Sequence, residues 1–138
     1  MPGGTRLSGR FKYRYSIAIA AIITKRYVEE KNPPCAREIA TALGLPKRVV
    51  SQLLHNLCEY RVIAPVYSGK RNQNCAYLPM IPPEKMTAAE LIRHAANHGR
   101  GGPPEKENEL VSKINSIIEE EFQAVANSPA NIRLTDLP

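Results

Sequence analysis

One short stretch of the chain concentrates side chains that can recognise nucleic acid. Its polar members share one face of a predicted helix, and they are Lys47, Arg48, Ser51, Gln52 and His55. Lysine and arginine bind phosphates or guanine edges, and a glutamine amide can pair with an adenine edge in the major groove. This combination is typical of a helix that enters a DNA groove.

A second polar group lies further along the chain, between two short runs of β-branched, aromatic and apolar residues at 62–67 and 75–81. Turn-forming residues fill 68–74, so the stretch predicts a β-hairpin, the wing that follows a helix-turn-helix. Pro65 and Pro79 predict edge strands with few ladder hydrogen bonds. The residues at the tip that would follow a DNA backbone are Lys70, Arg71, Asn72 and Gln73.

Residues that could support catalysis or hold a metal are scattered. The dense acidic cluster at 119–121 is consecutive on a predicted helix, so its carboxylates point in different directions. His94 and His98 have helical i, i+4 spacing, but the sequence shows no acidic third ligand with them. The glycine-rich segment 99–104 follows a helix rather than a strand, so it is not a phosphate loop. We therefore predict no enzymatic activity, no metal and no cofactor.

The three cysteines, Cys35, Cys58 and Cys75, are widely spaced and form no C-x-x-C pair. Neither a zinc site nor a disulfide framework is indicated, and a reducing cytosol fits best. The apolar run at 17–23 is far shorter than the roughly 20 residues of a membrane-spanning helix, so we expect it in a buried helix.

The polar face at 47–55 is predicted to lie on the second of two helices that are joined by a tight turn. Gly44 tolerates the positive φ that such a turn needs, and Pro46 suits the first turn of the second helix. One side of that second helix is apolar at i, i+3, i+4 and i+7, which predicts burial of Val50, Leu53, Leu54 and Leu57.

Three further helices are predicted. The first covers about 11–30 and ends before Asn32-Pro33-Pro34, and a capping box of Thr87 and Glu90 opens another that Gly99 can close. A long helix from 105 to about 126 carries an apolar stripe that could fold back on the first helix or pack against a second chain. We favour a homodimer contact, alone or together with the fold-back, and the members of the stripe are Leu110, Ile114, Ile117, Ile118, Phe122 and Val125.

The predicted fold class is mainly α with a small β-hairpin: a winged helix-turn-helix plus a long C-terminal helix. We divide the chain into a disordered tail (1–10), a winged helix-turn-helix domain (11–98), a linker (99–104) and a C-terminal helix with its tail (105–138). Residues 1–104 carry a net charge of +10, whereas residues 105–138 carry −4. The basic body favours an anionic partner.

The order of elements resembles one bacterial winged-helix lineage, that of the iron–sulfur-cluster regulators. The resemblance is carried by AREIATALGLPKRVVSQLLHNLCEYRVI, by AYLPMIPPEKMTAAELIRHAANHG and by the terminal IIEEEF and LTDL. In those regulators the cysteines that hold the cluster lie between the capped helix and the long helix. The corresponding segment here, 99–108, has no cysteine, so cluster sensing is not carried over.

A closer resemblance is to the cytosolic C-terminal winged-helix domain of the YihY/BrkB inner-membrane proteins, often labelled "ribonuclease BN". FKYRYSIAIAAIITKRYVEE, NCAYLPMIPPEKMTAAELI and VANSPANIRLTDL carry it, over about residues 11–138. The membrane-spanning half is absent from this sequence, so we expect either a fragment or a free-standing relative. The ribonuclease label is not carried over.

Two functions follow from these observations. The resemblance implies a non-catalytic, cytoplasmic module that regulates a YihY/BrkB-like membrane protein through protein contacts or contacts with nucleic acid. The alternative, drawn from the cationic helix and wing, is a free-standing dimeric transcription regulator that binds double-stranded DNA without an iron–sulfur cluster.

Overall fold

The computed structural model describes residues 7–67, 75–99 and 108–138. Within these ranges it shows five α-helices and a two-stranded antiparallel hairpin, which confirms the predicted winged helix-turn-helix with a long C-terminal helix. The elements are α1 (Gly9–Val28), α2 (Ala36–Leu43), α3 (Lys47–Glu59), β1 (Ile63–Tyr67), β2 (Cys75–Pro79), α4 (Ala88–Ala96) and α5 (Glu109–Ala126). Short 3-10 turns cover Pro83–Lys85 and Leu134–Asp136.

The first helix begins and ends two residues earlier than the sequence predicts. The hydroxyl of Ser8 accepts a hydrogen bond from the backbone N–H of Phe11 at 3.0 Å, which caps α1 and places residues 9 and 10 in the helix. At the other end Glu30 adopts a φ of +57° and terminates the helix before the prolines are reached. Only residues 7–10 of the predicted disordered tail lie within the described ranges.

The helix-turn-helix forms as predicted around Gly44. This glycine has a φ of +67°, and its N–H and that of Leu45 donate to the last carbonyls of α2. The four apolar residues predicted to face inward from α3 are fully buried. They pack with Ile19 and Ile23 of α1 and with Ile39 of α2, so the two helices rest on the first one.

The wing hairpin has a third, short partner that the sequence does not reveal. β1 and β2 pair antiparallel, with Pro65 opposite Tyr77. On its other side β2 meets the segment before α2, because the Tyr77 N–H donates to the Pro34 carbonyl at 3.1 Å and Cys35 bridges to Ala76. β2 is therefore not the edge strand that we predicted.

This register also explains how proline is tolerated in the hairpin. The N–H of Tyr77 points away from β1, toward Pro34, so the facing position in β1 directs its own nitrogen toward solvent. Pro65 occupies that position and removes no ladder bond.

The chain after α5 returns to the helical body. Leu134 is buried, and its N–H donates to the Met86 carbonyl at 2.9 Å. Arg133 bridges to Thr87, and the Lys25 ammonium donates to the carbonyl of Leu137. These contacts hold the last turn against α1 and the start of α4.

None of the helices in the described part of the chain combines the length and the apolar character that crossing a bilayer requires. The division into domains stays a prediction, since residues 100–107, which include most of the proposed linker, lie outside the described ranges.

Candidate nucleic-acid interface

The outer face of α3 is fully presented to solvent. All five side chains predicted to face DNA are exposed: Lys47, Arg48, Ser51, Gln52 and His55. Their opposite neighbours on the helix are the buried apolar stripe, so the core fixes which side of α3 faces outward. The structure brings these five residues together on one face, and their role in binding DNA stays a prediction.

The beginning of α3 combines two cationic side chains with the positive end of the helix dipole. Lys47 and Arg48 occupy the first helical turn, where the helix dipole is already positive, and that turn contains no acidic residue. Among the residues that the structure describes, neither cation forms an ion pair. An anion bound here would relieve this repulsion, and a phosphate is the anion that helix N-termini and guanidinium groups bind best.

The predicted wing tip, with Lys70, Arg71, Asn72 and Gln73, lies outside the described residues. The described base of the hairpin ends in Tyr67, whose side chain is 72% exposed.

Arg37 is a candidate that the sequence analysis missed. It is exposed in the first turn of α2, and the hydrogen bond from Tyr77 to Pro34 places the start of α2 beside the wing. In helix-turn-helix proteins the first helix of the pair crosses the DNA backbone. The sequence signal that could have identified Arg37 is a cationic residue in the first turn of α2, just after the residue that caps this helix.

The cap of α2 involves the neighbouring carboxylate. Glu38 accepts a hydrogen bond from the Cys35 N–H at 3.1 Å and pairs with Arg26 at 3.3 Å. The backbone hydrogen bond, with a smaller contribution from Arg26, lowers the pKa of Glu38 below its usual value. Glu38 is therefore occupied with holding the start of α2, which leaves Arg37 free to face solvent.

Two thiols and a phenol lie near the junction of α3 and β2. Burial is the main reason that the pKa values of Cys58 and Tyr77 are raised, and Cys75 raises both further. A thiol held in the protonated form is a poor nucleophile, so the half-buried Cys58 has the character of a packing residue rather than of a reactive one.

The stripe of α5 is exposed rather than buried. Leu110 is 70% exposed, and the other apolar members apart from Phe122 are between 41% and 46% exposed. No residue along this helix is buried. The stripe does not fold back on α1; α5 instead touches α4, where Arg93 pairs with Glu119 at 3.5 Å and lies 5.7 Å from the Phe122 ring centre.

His55 is separated from the other two histidines, His94 and His98, which both contact Tyr60. His55 is on the outer face of α3, whereas His94 of α4 contacts the end of α3 through its Nδ1, 3.0 Å from the Tyr60 carbonyl oxygen. The sequence analysis did not identify the carboxylate beside His94: Glu90 Oε1 lies 3.7 Å from its Nε2. Within the described ranges no three histidine, cysteine or acidic side chains are grouped to hold a metal ion.

The arrangement of α2, the turn, α3 and the paired hairpin defines a winged-helix protein. No protein-family model matches the chain, and no curated protein sequence matches it.

Three solved structures share this fold along most of their length. IscR of T. potens is 18% identical, with a TM-score of 0.57, and the alignment covers 96% of this chain and 85% of IscR. CymR, the global cysteine regulator of B. subtilis, is 21% identical, with a TM-score of 0.53 and coverage of 88% and 92%. Staphylococcus aureus CymR is 19% identical, with a TM-score of 0.57 and coverage of 92% and 97%.

At these identities the likeness shows the fold alone. It confirms the predicted winged-helix fold. The narrower assignment to the YihY/BrkB membrane proteins receives no support from these three structures.

Proposed function

We propose that this protein is a DNA-binding transcription regulator that uses α3 as its recognition helix. The observation that carries the proposal is the outer face of α3, where two cations and three hydrogen-bonding side chains are exposed above a fully buried apolar stripe. This is the geometry with which a recognition helix enters a major groove.

Charge supports the same function. The chain has a net charge of +6, and residues 1–104 alone carry +10. A basic surface attracts a polyanion and accelerates its association. Lys47 and Arg48 would contact phosphates or guanine, Gln52 would read a base edge, and the cations at 70 and 71 together with Arg37 would contact the backbone on either side.

Similarity to regulators favours this function over that of a membrane-protein module. The B. subtilis structure is described as a global cysteine regulator and covers most of this chain. The interpretation as the cytosolic part of a YihY/BrkB-like protein rests on sequence resemblance alone.

We further propose that two copies associate through α5. The exposed apolar stripe runs along one side of an 18-residue helix that makes few contacts with its own domain. Pairing with the same helix of a second copy would remove this surface from water, and a two-fold dimer would present two recognition helices to a palindromic site.

A salt-dependent titration tests DNA binding. Fluorescence anisotropy of a labelled random-sequence duplex should show binding at low salt, and the logarithm of the association constant should fall by about 0.9 for each phosphate contact per unit of log salt. Absence of binding at low salt would refute the proposal.

Two lysine variants make the titration specific to α3. Lys47→Ala should weaken binding and reduce the salt slope by about one phosphate contact. Lys113→Ala removes the same charge from an exposed position on α5, and it should leave the slope unchanged. Equal effects of the two variants would show that binding follows net charge rather than the face of α3.

A further inference from the structure

One side chain joins the end of α1 to the start of α2. The guanidinium of Arg26 donates through Nη1 to the backbone carbonyl of Asn32 at 2.8 Å, and its Nη2 lies 3.3 Å from Glu38 Oε2. The backbone carbonyl of Arg26 also accepts a hydrogen bond from the N–H of Lys31 at 2.9 Å. Arg26 therefore contacts the segment between the helices twice and the first turn of α2 once.

Glu38 connects this contact to the cap of α2. Its Oε1 accepts the hydrogen bond from the Cys35 N–H at 3.1 Å, while its Oε2 faces Arg26. One carboxylate thus binds the capping residue of α2 with one oxygen and α1 with the other. The bond to Cys35 closes within the first turn, so the bond to Arg26 is the one that relates this turn to α1.

Arg37 lies in the same turn as Glu38 and extends in a different direction. Consecutive residues of a helix are rotated by about 100°, so fixing Glu38 toward α1 also fixes the direction of Arg37. Arg37 is exposed, and among the described residues it forms no ion pair. Its guanidinium is available to an anion outside the protein.

Arg26 is itself a poor candidate for contacting DNA. Its side chain is only 29% exposed, its charge is paired with Glu38, and both terminal nitrogens already have a partner. A partly exposed ion pair contributes little to stability. What a planar guanidinium with two donors adds is geometry, since it holds two acceptors in a defined relative position.

We propose that Arg26 is a positioning residue for DNA binding, which holds the first turn of α2 so that Arg37 reaches the phosphate backbone. The inference rests on the proposed function, because it assigns a role within DNA binding. The segment that Arg26 holds also contains Pro34, whose carbonyl accepts from Tyr77, so the same contacts border the root of the wing.

A double-mutant cycle on the salt-dependent titration tests this role. Arg37→Ala and Arg26→Gln should each weaken binding, and each should reduce the salt slope by about 0.9, the value of one phosphate contact. In the double variant the slope should fall by about 0.9 in total, because the second substitution has no further contact to remove. Additive losses would show that Arg26 acts on DNA independently of Arg37 and would overturn the proposal.

Two further variants separate geometry from charge. Arg133→Gln removes the same charge from another arginine–carboxylate pair, 3.1 Å from Asp136, and should leave the slope unchanged. An equal loss in this variant would attribute the effect to net charge. Arg26→Lys keeps the charge but loses the planar fork, so it should bind DNA more weakly than the wild type. Wild-type affinity in Arg26→Lys would contradict a positioning role.

Backbone NMR relaxation without DNA distinguishes failure of this inference from failure of the proposed function. In Arg26→Gln the heteronuclear NOE of the Cys35 and Arg37 amides should fall, while that of Leu54 in the core of α3 stays unchanged. The urea midpoint should change little, because the ion pair is partly exposed. An unchanged NOE at Arg37 would overturn the positioning role even if DNA binds. A wild-type chain that does not bind DNA would instead refute the proposed function, and the role of Arg26 in DNA binding with it.

Discussion

The side-chain oxygen of Asn131 accepts a hydrogen bond from the backbone N–H of Ala89 at 3.0 Å, while its amide nitrogen donates to the Ala126 carbonyl at 3.2 Å. One asparagine of the tail therefore satisfies an N–H at the start of α4 and a carbonyl at the end of α5. The contact fixes the relative position of the two helices at that point, since these backbone groups have no partner within their own helices.

Replacement of Asn131 should reveal this link. Asn131→Ala removes both hydrogen bonds from a partly buried position, and we expect a loss of about 1–2 kcal/mol in the free energy of unfolding, measured by urea titration. Asn131→Asp keeps the acceptor and loses the donor, so its loss should be smaller. An unchanged urea midpoint for Asn131→Ala would show that water replaces both partners without cost.

The turn between α2 and α3 provides a second test. Gly44→Ala places a Cβ where no heavy atom lies within 4 Å, so its cost should come from the φ of +67° alone and amount to about 1–2 kcal/mol. Gly9→Ala is the control, because its Cβ also meets nothing within 4 Å and its φ is ordinary. Thermal unfolding should show a lower midpoint for Gly44→Ala and no loss for Gly9→Ala. Similar midpoints would mean that the turn tolerates alanine.

Glu38 makes the stability of the fold depend on pH. Its pKa is lower in the folded state than the ordinary value of 4.5, so its contribution is present above that value and disappears as the pH falls through the folded pKa. Glu38→Ala should cost about 0.5–1 kcal/mol at pH 7, a modest amount because the side chain is half exposed. Urea titrations from pH 7 to pH 3 should show the difference between wild type and variant shrinking in acid. A difference that persists below the folded pKa would assign the effect to helix propensity instead.

The dimer contact proposed for α5 can be tested by introducing carboxylates into its apolar stripe. Ile114→Glu combined with Ile118→Glu should convert a dimer to a monomer, as measured by light scattering, because burying the stripe would then bury two carboxylates. The control adds the same charge on the opposite side of the helix, with Ser116→Glu and Gln123→Glu. A wild-type chain that is already monomeric, or a control that dissociates equally, would contradict this use of the stripe.

Local sequence patterns predicted those parts of the fold that depend on neighbours in the chain. The spacing of Val50, Leu53, Leu54 and Leu57 predicts a buried stripe because a helix repeats every 3.6 residues, and all four are fully buried. Gly44 was equally informative, since few residues other than glycine adopt its conformation without strain.

Contacts between residues far apart in the chain could not be predicted, because they produce no periodic pattern in the local sequence. One example is the hydrogen bond from the Tyr77 N–H to the Pro34 carbonyl. The sequence around Tyr77 suggests only an edge strand, and the sequence around Pro34 suggests only the end of a helix. Likewise, nothing in the local sequence shows that the ring of His94 meets the backbone carbonyl of Tyr60, 34 residues earlier. The exposed face of α3 could be predicted, whereas the contact between α4 and the end of α3 depends on tertiary packing.

The bond between Tyr77 and Pro34 has a consequence for the modularity of the wing. Because the root of the hairpin is fastened to the segment before α2, its direction does not depend on the seven residues that join the strands. Those seven residues could therefore be exchanged for the hairpin loop of another winged-helix protein while the helices and the strands are left unchanged.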